Sequence, residues 1–142
     1  MRNVFVDGYN VINSWPELRD IVKYSLEAAR QKLIVILQNY AVYKGYKVIL
    51  VFDAHMKKGS LENKEVYSSV VVIYTKEGET ADSYIEKTVN DIGRKTEVCV
   101  VTSDFLEQQL AFQRGAIRAS CTEFYFEVRQ VEEQIKTLIR CF

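Results

Sequence analysis

Several residue types that whole functional classes depend on are scarce in this sequence. The 142 residues include one proline, one histidine, six glycines and three cysteines. With Pro16 as the sole proline there is no evident linker, and the length suits one domain spanning residues 1–142. Cys99, Cys121 and Cys141 are odd in number and widely spaced, which fits neither a disulfide framework nor a zinc site. They read as free thiols in a reducing compartment, with Cys99 in the core. Nineteen Lys and Arg balance nineteen Asp and Glu, so a globally basic nucleic-acid coat is excluded, though not a local basic patch. Apolar runs such as Val48 to Phe52 and Val70 to Tyr74 are too short to cross a bilayer. Met1-Arg2 leads directly into a stretch ending at Asp7, without the layout of a signal peptide. A soluble, cytoplasmic protein without membrane partners is expected. The Gly-x-x-x-x-Gly-Lys-Ser/Thr loop of P-loop nucleotidases is absent, and Asp7-Gly8-Tyr9-Asn10 is too poor in glycine for a Rossmann dinucleotide turn. An aspartyl-nucleophile phosphatase needs a second Asp where Tyr9 stands. The acidic pair of a phosphorelay receiver is missing as well.

What is present is a regular alternation. Asn3 to Val6, Lys47 to Phe52, Val70 to Thr75 and Glu97 to Val101 are continuous apolar runs, and Ala116 to Ala119 is a short fifth. Between them lie helical patterns. The first opens at Ser14-Trp15-Pro16-Glu17, with Ser14 as cap and Glu17 reaching back to it. The second runs from Ser25 to about Tyr43 and stops at Gly45, and the third from Glu79 or Thr80 to about Ile92, with Gly93 past its end. The fourth opens at Ser103-Asp104 and ends at Gly115. A capping box of Ser120 and Glu123 starts the last, which runs toward Arg140. Ala54 to Glu65 reads as a loop. Buried strands alternating with helices predict an α/β three-layer sandwich, with a central, mainly parallel sheet of about five strands.

The acids fall at telling places. Asp7 closes the first strand and precedes Gly8 rather than a helix. Asp53 closes the second, Glu79 and Asp82 follow the third, and Asp104 follows the fourth. In an open parallel sheet these positions share the edge beyond the carboxyl ends of the strands, where ligands bind. Each acid alone has an ordinary role as a helix cap or first-turn residue. Together they repel: two carboxylates about 4 Å apart cost roughly 4 kcal/mol at an effective dielectric of 20. A cation or raised pKa values would relieve that cost. Hard oxygen donors without His or Cys point to Mg²⁺ or Mn²⁺, and so to phosphoryl-transfer chemistry.

Four blocks occur in order: Val6-Asp7-Gly8-Tyr9-Asn10-Val11-Ile12, Val51-Phe52-Asp53-Ala54, Thr75-Lys76-Glu77-Gly78-Glu79-Thr80-Ala81-Asp82 and Thr102-Ser103-Asp104. Glu107-Gln108 and Gly115-Ala116-Ile117-Arg118 follow. Over nearly its whole length the chain resembles the YacP-like NYN-domain proteins, a bacterial branch of the PIN-like nuclease superfamily. The resemblance implies a Mg²⁺- or Mn²⁺-dependent ribonuclease. In it Asp7, Asp82 and Asp104 bind metal, Asn10 orients Asp7 or a water, and Ser103 supports. Such sites often hold a fourth acid. Glu107 and Gln108 lie on the helix face of Asp104 and are assigned support, while Asp53 and Glu79 stay open as further metal ligands. The resemblance also implies single-stranded messenger RNA as substrate and the ribosome as partner. Family members usually run somewhat beyond Cys141-Phe142.

RNA held against an acidic site needs basic groups around it. Lys57, Lys58, Lys76, Arg114 and Arg118 are the candidates, and Tyr9 and Trp15 are the aromatic residues placed to stack on a base. His55 reads as a loop residue. The expected activity is endoribonucleolytic hydrolysis leaving a 3′-hydroxyl and a 5′-phosphate. Its rivals are a catalytically weak RNA- or ribosome-binding module and, third, a small-molecule phosphatase.

Overall fold

The structure is a computed structural model, which describes residues 1–92 and 96–141. The expected stop of a helix at Gly93 lies outside the described residues. Six strands form one sheet: β1 (Asn3–Asp7), β2 (Lys47–Phe52), β3 (Asn63–Tyr67), β4 (Val70–Tyr74), β5 (Val98–Val101) and β6 (Ile117–Ala119). Their spatial order is β3-β4-β2-β1-β5-β6, parallel throughout except for the antiparallel β3–β4 pair. Six helices cover it: α1 (Gly8–Ser14), α2 (Pro16–Val22), α3 (Leu26–Lys44), α4 (Ala81–Ile92), α5 (Phe105–Gln113) and α6 (Cys121–Arg140). Among the described residues, no helix is long and apolar enough to cross a membrane.

The three layers follow from the two-residue period of the strands. Val4, Val6, Val48, Leu50, Phe52, Val70, Val72, Cys99 and Val101 point to one face, where they pack with α1, α2, α3 and α6. Phe5, Ile49, Val51, Val71, Ile73, Val98 and Val100 point to the other, under α4 and α5. The four inner strands are therefore apolar on both sides, as parallel strands between helices must be. Ser25 and Ser120 cap α3 and α6 as their sequence patterns require, and α6 carries the full capping box. Gly45 ends α3 at φ +70°, a left-handed conformation that glycine enters without a Cβ clash.

Four local expectations are corrected. The loop expected from Ala54 to Glu65 runs into β3, which brings the sheet to six strands where about five were expected. That strand is polar, with exposed or half-buried side chains throughout, since it lies at the sheet's edge. A helix also begins directly at Gly8, with Asp7 as its N-cap, so Asp7 does precede a helix. Ser14 is the last residue of that helix, so it cannot cap the next one. Trp15 takes the N-cap position of α2 in extended conformation with no side-chain bond. Glu17 does not reach back either; it pairs with Arg129 of α6 and accepts from the Tyr125 hydroxyl at 3.3 Å. Finally, Trp15 is 1% exposed with its indole N–H donating to the Cys121 carbonyl at 3.0 Å. It is a core residue and cannot stack on a base.

Gly8 is required by crowding. A Cβ there would come within 2.6 Å of Cδ1 of Phe52, a ring wedged between Tyr9 and Tyr74. Gly8→Ala is expected to destabilise the fold by about 1–3 kcal/mol, the usual cost of overpacking a filled core. Denaturant unfolding checks it; an unchanged midpoint would mean that Phe52 moves freely.

Candidate metal centre

The strand order places the centre. From β1 the chain builds outward through β2 and β4 on one side, then returns to β5 and β6 on the other. Connections therefore diverge between β1 and β5, and the crevice beyond their carboxyl ends is open for a ligand. Asp7 stands there as the last residue of β1. Helix α4 packs on the sheet over β1 and β2 and brings Asp82 in its first turn. Helix α5 leaves β5 and brings Glu107 in its own first turn.

These three side chains offer carboxylate oxygens that all lie within 4.8 Å of one another. Asp7 is 5% exposed and Glu107 7%. Asp7 accepts the Asn10 amide at 3.3 Å. Both Glu107 oxygens are buried and make no well-formed hydrogen bond among the described residues, with Asp82 and the Thr102 hydroxyl as their polar neighbours. Buried polar groups are nearly always paired, so two orphaned carboxylate oxygens need an explanation. Burial, then the neighbouring Asp82, pushes the Glu107 carboxyl up to about 9. Burial, with Asp82 and Asp53 adding to it against the Asn10 amide, pushes Asp7 up to about 7. Without a cation, protons take the place of the missing positive charge. Three carboxylates facing one another, one of them with both oxygens buried and unpaired, fit a divalent cation.

The other acids are placed differently. Asp104 is the N-cap of α5, its Oδ1 accepting the amides of Leu106 at 2.9 Å and Glu107 at 3.4 Å. Its carboxyl lies at the rim of the same opening, outside the three-acid group. Asp53 accepts from the Ala81 amide at 3.1 Å, the His55 amide at 2.9 Å and His55 Nδ1, and so ties the loop after β2 to the start of α4. Burial opposes its charge, but those bonds outweigh it and hold its carboxyl below the ordinary range. Glu79 pairs with Lys87 at 3.0 Å, while its other oxygen is buried without a partner among the described residues.

Asn10 and Gln108 brace the β5–α5 turn. Asn10 Oδ1 accepts the Ser103 amide at 3.0 Å, the Ser103 hydroxyl, and the Thr102 hydroxyl at 3.4 Å. Gln108 Nε2 donates to the Thr102 carbonyl at 2.8 Å. Sequence reasoning set Glu107 in a supporting place; the structure groups it with Asp7 and Asp82. One signal was available: Glu107 and Ala111 are four residues apart, on the face of α5 that turns inward.

Of the basic candidates, Lys57 and Lys58 line a polar cleft of about 580 Å³ between α3 and the loop after β2. Arg30 joins them, its guanidinium donating to the Tyr9 hydroxyl at 3.1 Å, a residue the sequence did not single out. Tyr9 packs on Phe52 with ring centroids 5.0 Å apart. Lys76 is exposed, Arg118 lies over the Phe112 ring, and Arg114 is held by Glu86 at 3.0 Å and by Asn90.

A mostly parallel three-layer α/β fold with an acidic cluster at its switch point is the architecture of an NYN domain, a class related to the PIN-like nucleases. Residues 4–141 match the YacP-like NYN domain, and the chain belongs to that family. It is 45% identical over 138 residues to the protein YacP of Bacillus subtilis (strain 168), covering 96% of this chain and 81% of that protein. Two crystal structures of Rae1 (YacP) from Bacillus subtilis share its fold. One aligns with a TM-score of 0.83 at 45% identity, over 99% of this chain and 80% of the other. A tryptophan-to-leucine variant aligns with a TM-score of 0.84 at 41% identity, over 99% and 82%.

Proposed function

We propose that this protein is a Mg²⁺- or Mn²⁺-dependent endoribonuclease acting on single-stranded RNA. The observation that carries the reading is the convergence of Asp7, Asp82 and Glu107, two of them buried and one half-buried, with no well-formed hydrogen bond to either Glu107 oxygen among the described residues, at the ligand crevice of an NYN domain. These three side chains hold the cation. Bound there, it supplies charge neutralisation for a phosphodiester and an acidified water for its hydrolysis. The protein supplies position. Asp7 is fixed between the end of β1 and the start of α1, and Asp104 fixes the first turn of α5, from which Glu107 projects. Asn10 acts at one remove, gripping the turn at Thr102-Ser103.

RNA reaches the acids past Tyr9, Lys57 and Lys58, whose lysines offset the repulsion between carboxylates and phosphates, while Arg30 in the same cleft is paired with Glu27. Lys76 and Arg118 add exposed positive charge near the same edge. A messenger RNA engaged by the ribosome in the cytoplasm is the substrate we favour.

Incubating the protein with a mixed-sequence single-stranded RNA, free and within translating ribosomes, tests the proposal. Cutting that appears with Mn²⁺ or Mg²⁺, stops with EDTA, and leaves 5′-phosphate ends is expected in at least one of the two substrates. RNA binding that survives EDTA, with no cutting in either, would instead make the protein a binding module.

A further inference from the structure

A second cavity opens from the acidic cluster on the side away from the polar cleft. It lies between α4 and α5, has a volume of about 200 Å³, and counts Asp82 and Glu107 among its lining residues. Its walls are aliphatic: Ile85 and Val89 from α4, Leu106 and Leu110 from α5, with Val100 of β5 beneath. At its edge is Arg114, whose guanidinium is tethered by Glu86 and Asn90. Leu106 is 71% exposed and Leu110 40%, an unusual investment of apolar surface beside a carboxylate centre.

We infer that this cleft is a nucleobase pocket, taking one unstacked base of the RNA strand whose phosphodiester lies at Asp7, Asp82 and Glu107. The inference rests on the nuclease reading above and adds to it a site of base selection. Size supports it, since an apolar cavity of about 150 Å³ accepts benzene, so this one accommodates a single heteroaromatic ring. Chemistry supports it too. Small-ligand pockets are mostly apolar with a few fixed polar groups, and single-stranded RNA is read through bases splayed out of the stack. An apolar side chain of a protein would fill the walls but leave Arg114 unused. A base uses both: its ring faces the aliphatic walls, and a carbonyl oxygen accepts from an N–H that Glu86 and Asn90 leave free. Uracil and cytosine are single rings that carry such a carbonyl, so they rank above adenine, which has none, and above guanine, whose second ring exceeds the space.

The five wall residues all bear methyl groups, which makes methyl NMR of the whole chain with Mg²⁺ the direct test. Uridine and cytidine 5′-monophosphates are expected to shift the methyl signals of Ile85, Val89, Val100, Leu106 and Leu110, whereas ribose 5-phosphate leaves them in place. Leu110→Trp, which fills the cleft, should weaken the nucleotides about tenfold and ribose 5-phosphate not at all. Leu106→Ser, at a position too exposed to endanger folding, should weaken them in the same direction. Arg114→Ala should bring the pyrimidine nucleotides down toward adenosine 5′-monophosphate. Nucleotides that bind with Mg²⁺ but leave the wall methyls unmoved would overturn the pocket and spare the nuclease reading. Wall shifts with nucleotide while no RNA is ever cut would keep the pocket and remove the nuclease. Benzene shifting the walls as strongly as uridine does, or no probe shifting them, would overturn the assignment to a base.

Discussion

Glu107→Gln is expected to stabilise the cation-free protein at alkaline pH and to remove most of its response to a divalent cation. Unfolded, a glutamate titrates near 4.3, whereas burial and Asp82 lift Glu107 to about 9 in the fold. The folded chain therefore holds this proton more tightly than the unfolded one. Below about pH 4 both states are protonated and there is no penalty. As pH rises from there toward 9, the unfolded chain releases the proton first and gains on the native state. Asp7, raised to about 7, adds a penalty of the same sign that develops between about pH 4 and 7. The cation-free protein should thus lose stability steadily from pH 5 to pH 9. Glutamine keeps the shape, carries no charge, and can donate to the neighbouring carboxylates. At pH 8.5 the variant should exceed the parent by several degrees in Tm, and the two should converge near pH 4.5. The parent should recover with Mg²⁺ or Mn²⁺, by about 2.7 kcal/mol at a hundred times Kd, and the variant much less. Thermal melts over pH, with cation and with EDTA, read both effects. Identical pH profiles and identical cation gains would take Glu107 out of the centre.

The legible parts of the fold were those whose signal is local. Four strands announced themselves as continuous apolar runs because each is buried on both faces, and α3 and α6 because Ser25, Gly45, Ser120 and Glu123 carry their own capping chemistry. The errors came where tertiary context outweighed local pattern. Strand β3 is polar because it closes the sheet at an edge, so its letters resemble a loop. Asp7-Gly8 has the letters of a turn, yet Gly8 opens a helix and is glycine because Phe52 lies against it. Glu17 looks like a capping residue, but its partner is Arg129, 112 residues away.

The site was legible in the same uneven way. That acids gather at one edge follows from strand order alone, and the quoted blocks supplied Asp7 and Asp82. The spacing of Glu107 and Ala111 hints at the inward face of α5, but it does not settle where the Glu107 carboxylate goes. Asp104 and Glu107 are three residues apart and form the letters of a capping box, in which Glu107 would turn back to the helix start. Asp104 takes the cap, and Glu107 turns instead toward Asp7 and Asp82. Only the packing of α5 against α4 decides between those rotamers.

Asp7→Asn is expected to lower cleavage by about a thousandfold or more while the fold survives or gains. The loss follows from arithmetic: an electrostatic centre at a phosphodiester is worth several kcal/mol in the transition state, and each 1.36 kcal/mol is a factor of ten. The survival follows from capping, since asparagine is as good an N-cap as aspartate and can keep the Asn10 amide bonded. It also sheds a buried charge. Asp104→Asn is the informative companion. It likewise keeps a cap, here on α5, but alters a carboxyl that lies outside the three-acid group. Its cleavage loss should be much the smaller of the two. Asp104→Ala should cost about 1 kcal/mol of stability for the lost cap and reduce cleavage further, because the turn that aims Glu107 loosens. Measured rates with saturating cation, set beside Tm for each variant, separate these cases. If Asp104→Asn falls as far as Asp7→Asn, the Asp104 carboxylate works at the reacting phosphate as well as at the helix end. If Asp7→Asn still cuts at the parent's rate, the trio is not the centre of hydrolysis, however well its carboxylates converge.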